Sequence, residues 1–143
     1  MTSLSFPDVN VWLALASHEH VHSALARLWW NSHKGGIAFC RISQLGLLRL
    51  LTTASVMGNK PLSMDRSWRA YEGLFADDRV VFVYEQPEMD AVFRSRSAGH
   101  AASPKMWTDA WLLAIASAAG GQLVTFDKAL AARGAHCLLA KRS

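Results

Sequence analysis

TDAWLLAIASAAGGQLVTFD, running from Thr108 to Asp127, decides how the fold is read. Thr108–Ala119 carries apolar side chains densely enough for a helix that is mostly buried. Gly120-Gly121 stops it, because glycine takes up the left-handed conformation that closes a helix. Leu123–Phe126 then forms a short apolar run suited to a strand, and Asp127 follows directly. A helix, a glycine stop and an apolar strand in succession make the repeating unit of an α/β sheet. Strands of such a sheet are covered on both faces and read as continuous apolar runs.

The same alternation extends in both directions. Leu4–Phe6 is an apolar run broken by Pro7, and Val9–Ala16 (VNVWLALA) begins a helix with Asp8 at its N-cap, where a carboxylate accepts free backbone N–H groups. His22–Ser32 is amphipathic, with Leu25, Leu28 and Trp29 at helical spacing, and Gly35-Gly36 ends it. Ile37–Cys40 reads as a strand, and Ser43 as the cap of a buried helix over Gln44–Thr53. Gly58–Pro61 is a loop, and Ser63 opens a helix to Phe75. Arg79–Tyr84 (RVVFVY) has the continuous apolar character of an interior parallel strand. Pro87–Arg96 is helical, Ser97–Lys105 a polar loop, Lys128–Ala132 a short helix and His136–Leu139 a last strand. Strands alternating with helices imply an α/β domain with a mainly parallel sheet.

The 143 residues fit the roughly 100–200 expected of one domain, so residues 1–143 are read as a single unit, with Lys141-Arg142-Ser143 as a tail. With 51% apolar residues the chain has the means to bury a core without disulfides. Its longest apolar runs fall far short of a membrane span, and Met1–Asp8 lacks the basic and apolar regions of a signal peptide. The expected compartment is the cytoplasm, and Cys40 and Cys137, neither in a CxxC pair, are expected as small buried apolar residues. A net charge of +4 favours a phosphate-bearing partner without identifying one. The charge is uneven. No Asp or Glu lies between His20 and Met64, a stretch that holds Arg27, Lys34, Arg41, Arg49 and Lys60. That third of the chain is expected to offer a basic surface to a polyanion or to an acidic partner segment.

In open α/β sheets, ligands bind at the carboxyl ends of the strands. Asp8 and Asp127 directly follow strands, and Asp109 is read in the first turn of the helix before the last of these. An Asp at a helix start is usually a cap, which alone would account for Asp8 and Asp109, so both readings stay open at this point. Three carboxylates in one crevice repel each other unless a hard cation neutralises them, and such oxygen donors suit Mg²⁺ or Mn²⁺. A cation so held lowers the pKa of water and stabilises charge on a phosphoryl group.

The words around these aspartates raise that reading. Pro7-Asp8-Val9-Asn10-Val11-Trp12-Leu13-Ala14-Leu15 resembles the opening of PIN-domain proteins, a strand followed by Asp-x-Asn and an apolar helix. Thr108–Ala116, the double glycine and Leu123–Asp127 resemble their third motif and closing T-x-D. Ser43-Gln44-Leu45-Gly46-Leu47-Leu48-Arg49-Leu50-Leu51 resembles the VapC-type branch, toxins of bacterial toxin–antitoxin pairs. The resemblance spans nearly the whole chain. It implies a PIN-like three-layer α/β/α sandwich with a central sheet, Mg²⁺-dependent cleavage of RNA, a homodimer, and inhibition by a cognate antitoxin. Carried over, Asp8, Asp109 and Asp127 match the acidic metal positions, Thr125 the hydroxyl of T-x-D, and Asn10 the polar residue after the first Asp. The chain departs from the family where many members carry a glutamate after the second strand. Gln44 stands nearest that position and can orient water without adding charge.

Around this centre, Arg41 and Arg49 are candidates to guide the RNA backbone, Arg49 being equally readable as a surface or interface arginine. His18, His20 and His22 are read as solvated loop residues, and His100 as a loop residue at the mouth of the groove. Of Trp29-Trp30, and of Trp107 and Trp111, at least one each is expected in the core, leaving others for a protein surface or for stacking on RNA bases. Two alternatives remain. A haloacid-dehalogenase-like phosphatase also starts from a strand and an aspartate, but wants a second Asp where Asn10 stands. A catalytically silent PIN-like binding module would explain the missing glutamate.

Overall fold

A computed structural model describes residues 4–139. Met1–Ser3 and the basic tail lie outside the described residues. Five parallel strands make one sheet in the order β3-β2-β1-β4-β5: β1 (Ser5–Pro7), β2 (Ile37–Phe39), β3 (Val80–Phe82), β4 (Gln122–Thr125) and β5 (His136–Cys137). The chain passes from β1 to β2 through α1 (Val9–Ala16) and α2 (Ser23–Ser32), then to β3 through α3 (Arg41–Leu51) and α4 (Met64–Leu74). It returns through α5 (Met89–Ser97) and α6 (Pro104–Ala118) to lay β4 on the other side of β1, and α7 (Lys128–Ala131) leads to β5. The strand order therefore reverses between β1 and β4, the switch point where open sheets leave a crevice.

Alternate strand residues sort into two cores. Ile37, Phe39, Val80 and Val124 pack with Val11, Trp12, Trp29, Leu47 and Tyr71 of α1–α4. Phe6, Ala38 and Leu123 pack with Met89 of α5 and Leu112, Leu113 and Ile115 of α6 on the opposite face. These are the three layers expected of the sandwich, and the strands are all parallel. Trp12 lies flat on Phe39, ring centroids 3.7 Å apart, and Tyr71 meets Phe39 edge-on. That stack fixes α1 one turn below Asp8.

Several boundaries differ from the sequence reading, each for a local reason. Pro7 closes β1 instead of breaking the chain after it. Ser5 donates to Gly36 O toward β2, so its alternate neighbour Pro7 faces the same way with no N–H to give, and the β1–β2 pairing is confined to Ser5 with Ile37. Cys40, not Ser43, is the N-cap of α3. The Ser43 hydroxyl accepts from the Cys40 N–H at 3.0 Å, which makes it the third-position half of a capping box. α6 starts at Pro104, because proline suits the first helical position. Asp109 thus sits in the second turn, and the loop shrinks to Ala98–Ser103. β3 is an edge strand, with Val81 40% exposed, so its apolar run does not mark an interior position. Gly120 takes a φ of 70° after α6, and a Cβ on Gly121 would stand 2.3 Å from Leu4 O, so each glycine serves a different need of this turn. Both cysteines are buried and unpaired.

Candidate active site

Asp8 ends the β1 segment and caps α1. Its N–H donates to Val124 O of β4, and its Oδ1 accepts from the Val11 N–H at 3.2 Å. The other carboxylate oxygen accepts the hydroxyl of Thr125, a fully buried residue at the end of β4. The same hydroxyl oxygen accepts the Asp127 N–H at 3.0 Å. Thr125 therefore ties the ends of the two switch-point strands together. Asp127 in turn caps α7, its Oδ1 accepting from the Ala129 N–H at 2.9 Å. Asp109 reaches the crevice from α6. Lys105, one helical turn earlier, donates its ammonium to Asp127 Oδ2 and stands 3.5 Å from Asp109 Oδ2.

Asp8, Lys105, Asp109 and Asp127 line a crevice of about 240 Å³, together with Asn10, Thr108 and Phe126, with Thr125 buried behind them. Burial pushes the Asp8 carboxyl above its ordinary range, against the Thr125 hydrogen bond, and the charge of Asp109 adds to the rise. Burial likewise raises Asp109, opposed by the Lys105 ammonium. The Lys105 hydrogen bond and the Ala129 N–H hold Asp127 below the usual range. The Asp127 hydrogen bond first, then the charges of both aspartates, raise Lys105 against the pull of burial. The crevice is a site of unbalanced negative charge that one ammonium already bridges.

A divalent metal fits this donor set chemically. The lining offers carboxylate oxygens and no His or Cys, which suits a hard cation. Among the described residues, no three His, Cys, Asp or Glu side chains stand as a preformed ligand group. The reason is visible. Asp109 and Asp127 are drawn to Lys105 while Asp8 is turned to Thr125.

The structure thus brings Asp8, Asp109, Asp127, Thr125 and Asn10 together. Gln44 is not with them. It is buried, accepts from Arg41 at 2.5 Å and lies beside Tyr71 of α4. Two residues on, Gly46 faces the start of α1, so close that an added Cβ would stand 2.4 Å from Val9 Cγ2. Arg49 follows on the same face, in a second groove of about 490 Å³ that shares Val9, Asn10 and Thr108 with the crevice. Arg41 stands at the carboxyl end of β2 over the Phe82 ring, 5.1 Å from its centroid. His20 and His22 are half-buried against Phe126, ring centroids 6.0 and 4.7 Å away, instead of free in solvent, while His18 is exposed. His100 meets Arg133 Nη2. Trp29 is core and Trp30 half-buried; Trp111 packs on the second core and Trp107 is 63% exposed. Lys105 is absent from the sequence candidates because the polar run that ends on it reads as a loop. Pro104 as a helix start would have placed it four residues before Asp109, on the same face.

Comparison with known proteins agrees with this architecture. The PIN domain family model matches residues 5–135. The chain is 40% identical over 133 residues to Ribonuclease VapC41 of Mycobacterium tuberculosis, covering 89% of this chain and 91% of that protein. It is 34% identical over 132 residues to Ribonuclease VapC39 of the same organism, covering 87% and 88%. The crystal structure of M. tuberculosis VapC20, described as a sarcin-ricin loop cleaving toxin, shares the fold with a TM-score of 0.65 at 17% identity, over 91% of this chain and 95% of that one. This chain belongs to the PIN domain family, in its VapC-type ribonuclease toxin branch.

Proposed function

We propose that this chain hydrolyses RNA phosphodiester bonds at the β1–β4 crevice with Mg²⁺, Mn²⁺ serving as a substitute. In this reading it is an endoribonuclease and the toxic half of a type II toxin–antitoxin pair, acting as one domain over residues 1–143 and as a homodimer in the cytoplasm. A cognate antitoxin neutralises it. No helix among the described residues is long and apolar enough to cross a membrane. The observation that carries the reading is the convergence of Asp8, Asp109 and Asp127 on one crevice at the switch point, the last two bridged by the Lys105 ammonium.

Asp8, Asp109 and Asp127 would hold the metal, which supplies charge to ionise a water and to stabilise the phosphoryl oxygens. Thr125 holds the Asp8 carboxylate in one orientation and the Asp127 backbone with it, so two of the three donors move as a unit. Asn10 offers an amide to a water or a phosphate oxygen at the wall of the crevice. Arg41 and Arg49 attract the RNA backbone. Gln44, spent on Arg41 and Tyr71, supports the fold behind α3 instead of orienting water. Family membership removes the phosphatase alternative, which also lacks its second acid at Asn10.

Purified protein incubated with total RNA should cut it in Mg²⁺, stop in EDTA, and lose cutting by about 10²–10³-fold on Asp8→Asn, a loss of the size seen when one group stabilising the transition state is removed. Intact RNA in both Mg²⁺ and Mn²⁺, with RNA still bound, would instead favour the silent binding module, for which the absence of an acid on the α3 face is the motive.

A further inference from the structure

Lys105 lines the crevice, yet hydrolysis as described gives it no task. Its ammonium touches Asp127 and lies 3.5 Å from Asp109, so it occupies the place between two of the three carboxylates proposed as metal donors. Its side chain is 68% exposed, whereas those of Asp109 and Asp127 are 14% and 28% exposed. The ammonium is therefore carried on the most exposed of these three side chains, a flexible four-carbon stem rising from the first turn of α6 that Pro104 starts. A divalent cation chelated by Asp109 and Asp127 needs the same carboxylate oxygens, and two cations repel each other there.

Resting on the metal-site reading above, we propose that Lys105 is a built-in counter-ion. It holds Asp109 and Asp127 together before metal arrives, competes with the metal for them, and turns outward on metal loading to take a phosphate oxygen of the RNA at the mouth of the crevice. The competition follows from charge alone. With the ammonium in place the three aspartates present a smaller net negative charge, and the metal must displace two ion pairs to bind. The outward move follows from the exposure of the stem and from the affinity of an ammonium for phosphate once its carboxylates are taken.

The test compares full-length Lys105→Met and Lys105→Arg with the unaltered chain. Mn²⁺ binding is read by electron paramagnetic resonance, and melting is followed in EDTA and in Mg²⁺. Loss of two partly exposed ion pairs is expected to tighten Mn²⁺ binding about tenfold in Lys105→Met. The same variant should melt lower than the parent in EDTA and match it in Mg²⁺, while Lys105→Arg stays close to the parent in both measurements. At saturating Mn²⁺, Lys105→Met should raise KM for RNA with less change in kcat. In the unaltered chain, the Lys105 ammonium resonance should be protected from exchange in EDTA and lose that protection in Mg²⁺, a readout that needs no variant to fold. Equal Mn²⁺ affinity in parent and Lys105→Met, or protection that persists in Mg²⁺, overturns the counter-ion. An unchanged KM overturns the role toward phosphate. Absence of Mn²⁺ binding by both proteins defeats the metal site itself, and the inference with it.

Discussion

Asp8 is pulled in two directions. Its backbone position is dictated by the end of β1 and the start of α1, and its carboxylate is useful there as a cap. Burial and the neighbouring charge of Asp109 nevertheless raise its pKa above the ordinary 3.8. A carboxyl with a raised folded pKa binds its proton more readily in the folded state. Its ionisation therefore costs stability, and the cost grows as pH rises from 3.8 through the raised value. Asp127 has the opposite sign: its depressed pKa stabilises the fold above the unfolded value, and that contribution is lost as pH falls through the folded one. In EDTA, Asp8→Asn keeps a good N-cap and removes the penalty. The variant should melt above the parent at pH 8, as read by thermal denaturation. The gap should close as pH falls toward 3.8, where the parent's carboxyl is protonated as well. Mg²⁺ should reverse the order by stabilising only the parent. A variant that melts lower than the parent in EDTA at pH 8 would show that the Asp8 charge is already satisfied without metal.

Among the elements, α3 and the start of α1 wall the groove that runs on from the crevice. Ile42, Gly46, Arg49 and Thr53 recur at helical spacing and face the groove beside Val9, while Gln44, Leu47 and Leu51 turn inward, Gln44 to Tyr71 of α4. Sequence proximity points to Gln44 as the stand-in for the missing acid, because the phase of a mostly apolar helix is hard to read when leucines lie on several sides. The aspartates are legible for the opposite reason. Asp8 follows β1 directly and Asp127 follows β4 after one residue, and a chain leaving the carboxyl end of a parallel strand has little freedom in where it puts the next residues. Gly46→Ala would drive a methyl into Val9, beside Asp8, at a cost of about 1–3 kcal/mol. It should also weaken metal binding and RNA cutting, and Val9→Ala in the same chain should restore both by making room. Failure of that rescue would mean that the packing of Gly46 on Val9 does not position Asp8. Gly121→Ala has no such remedy, since its Cβ meets the backbone oxygen of Leu4. It is expected to cost about 3 kcal/mol, in the range of severe overpacking, as read by denaturant titration.

For the whole molecule, alternation of elements along the chain is enough to identify a layered α/β fold, but not the order of its strands. The return of β4 to the far side of β1 depends on α5 and α6 covering the face opposite α1–α4, and pairing between distant segments leaves no local mark on the sequence. That return makes the crevice proposed as the active site, and it also separates two kinds of charge. The carboxylates sit at the switch point, while the acid-free stretch supplies α2, β2 and α3 next to it. The groove past Arg49 continues from the crevice through Asn10 and Thr108. Under the proposed function, a chain of charge +4 with an acidic centre would recruit RNA by this basic flank, since such a centre repels phosphate until a cation is bound. Binding of RNA by the Asp8→Asn protein should then weaken steeply with salt. Neutralising Arg41 and Arg49 should flatten the dependence of log Kd on log salt by about 0.7 for each phosphate of a single strand that is no longer neutralised. The thermal midpoint should change little for Arg49→Ala, whose side chain is exposed, and more for Arg41→Ala, which also strips Gln44 of its donor and Phe82 of its cation. A slope unchanged by both substitutions would place the RNA path on another face.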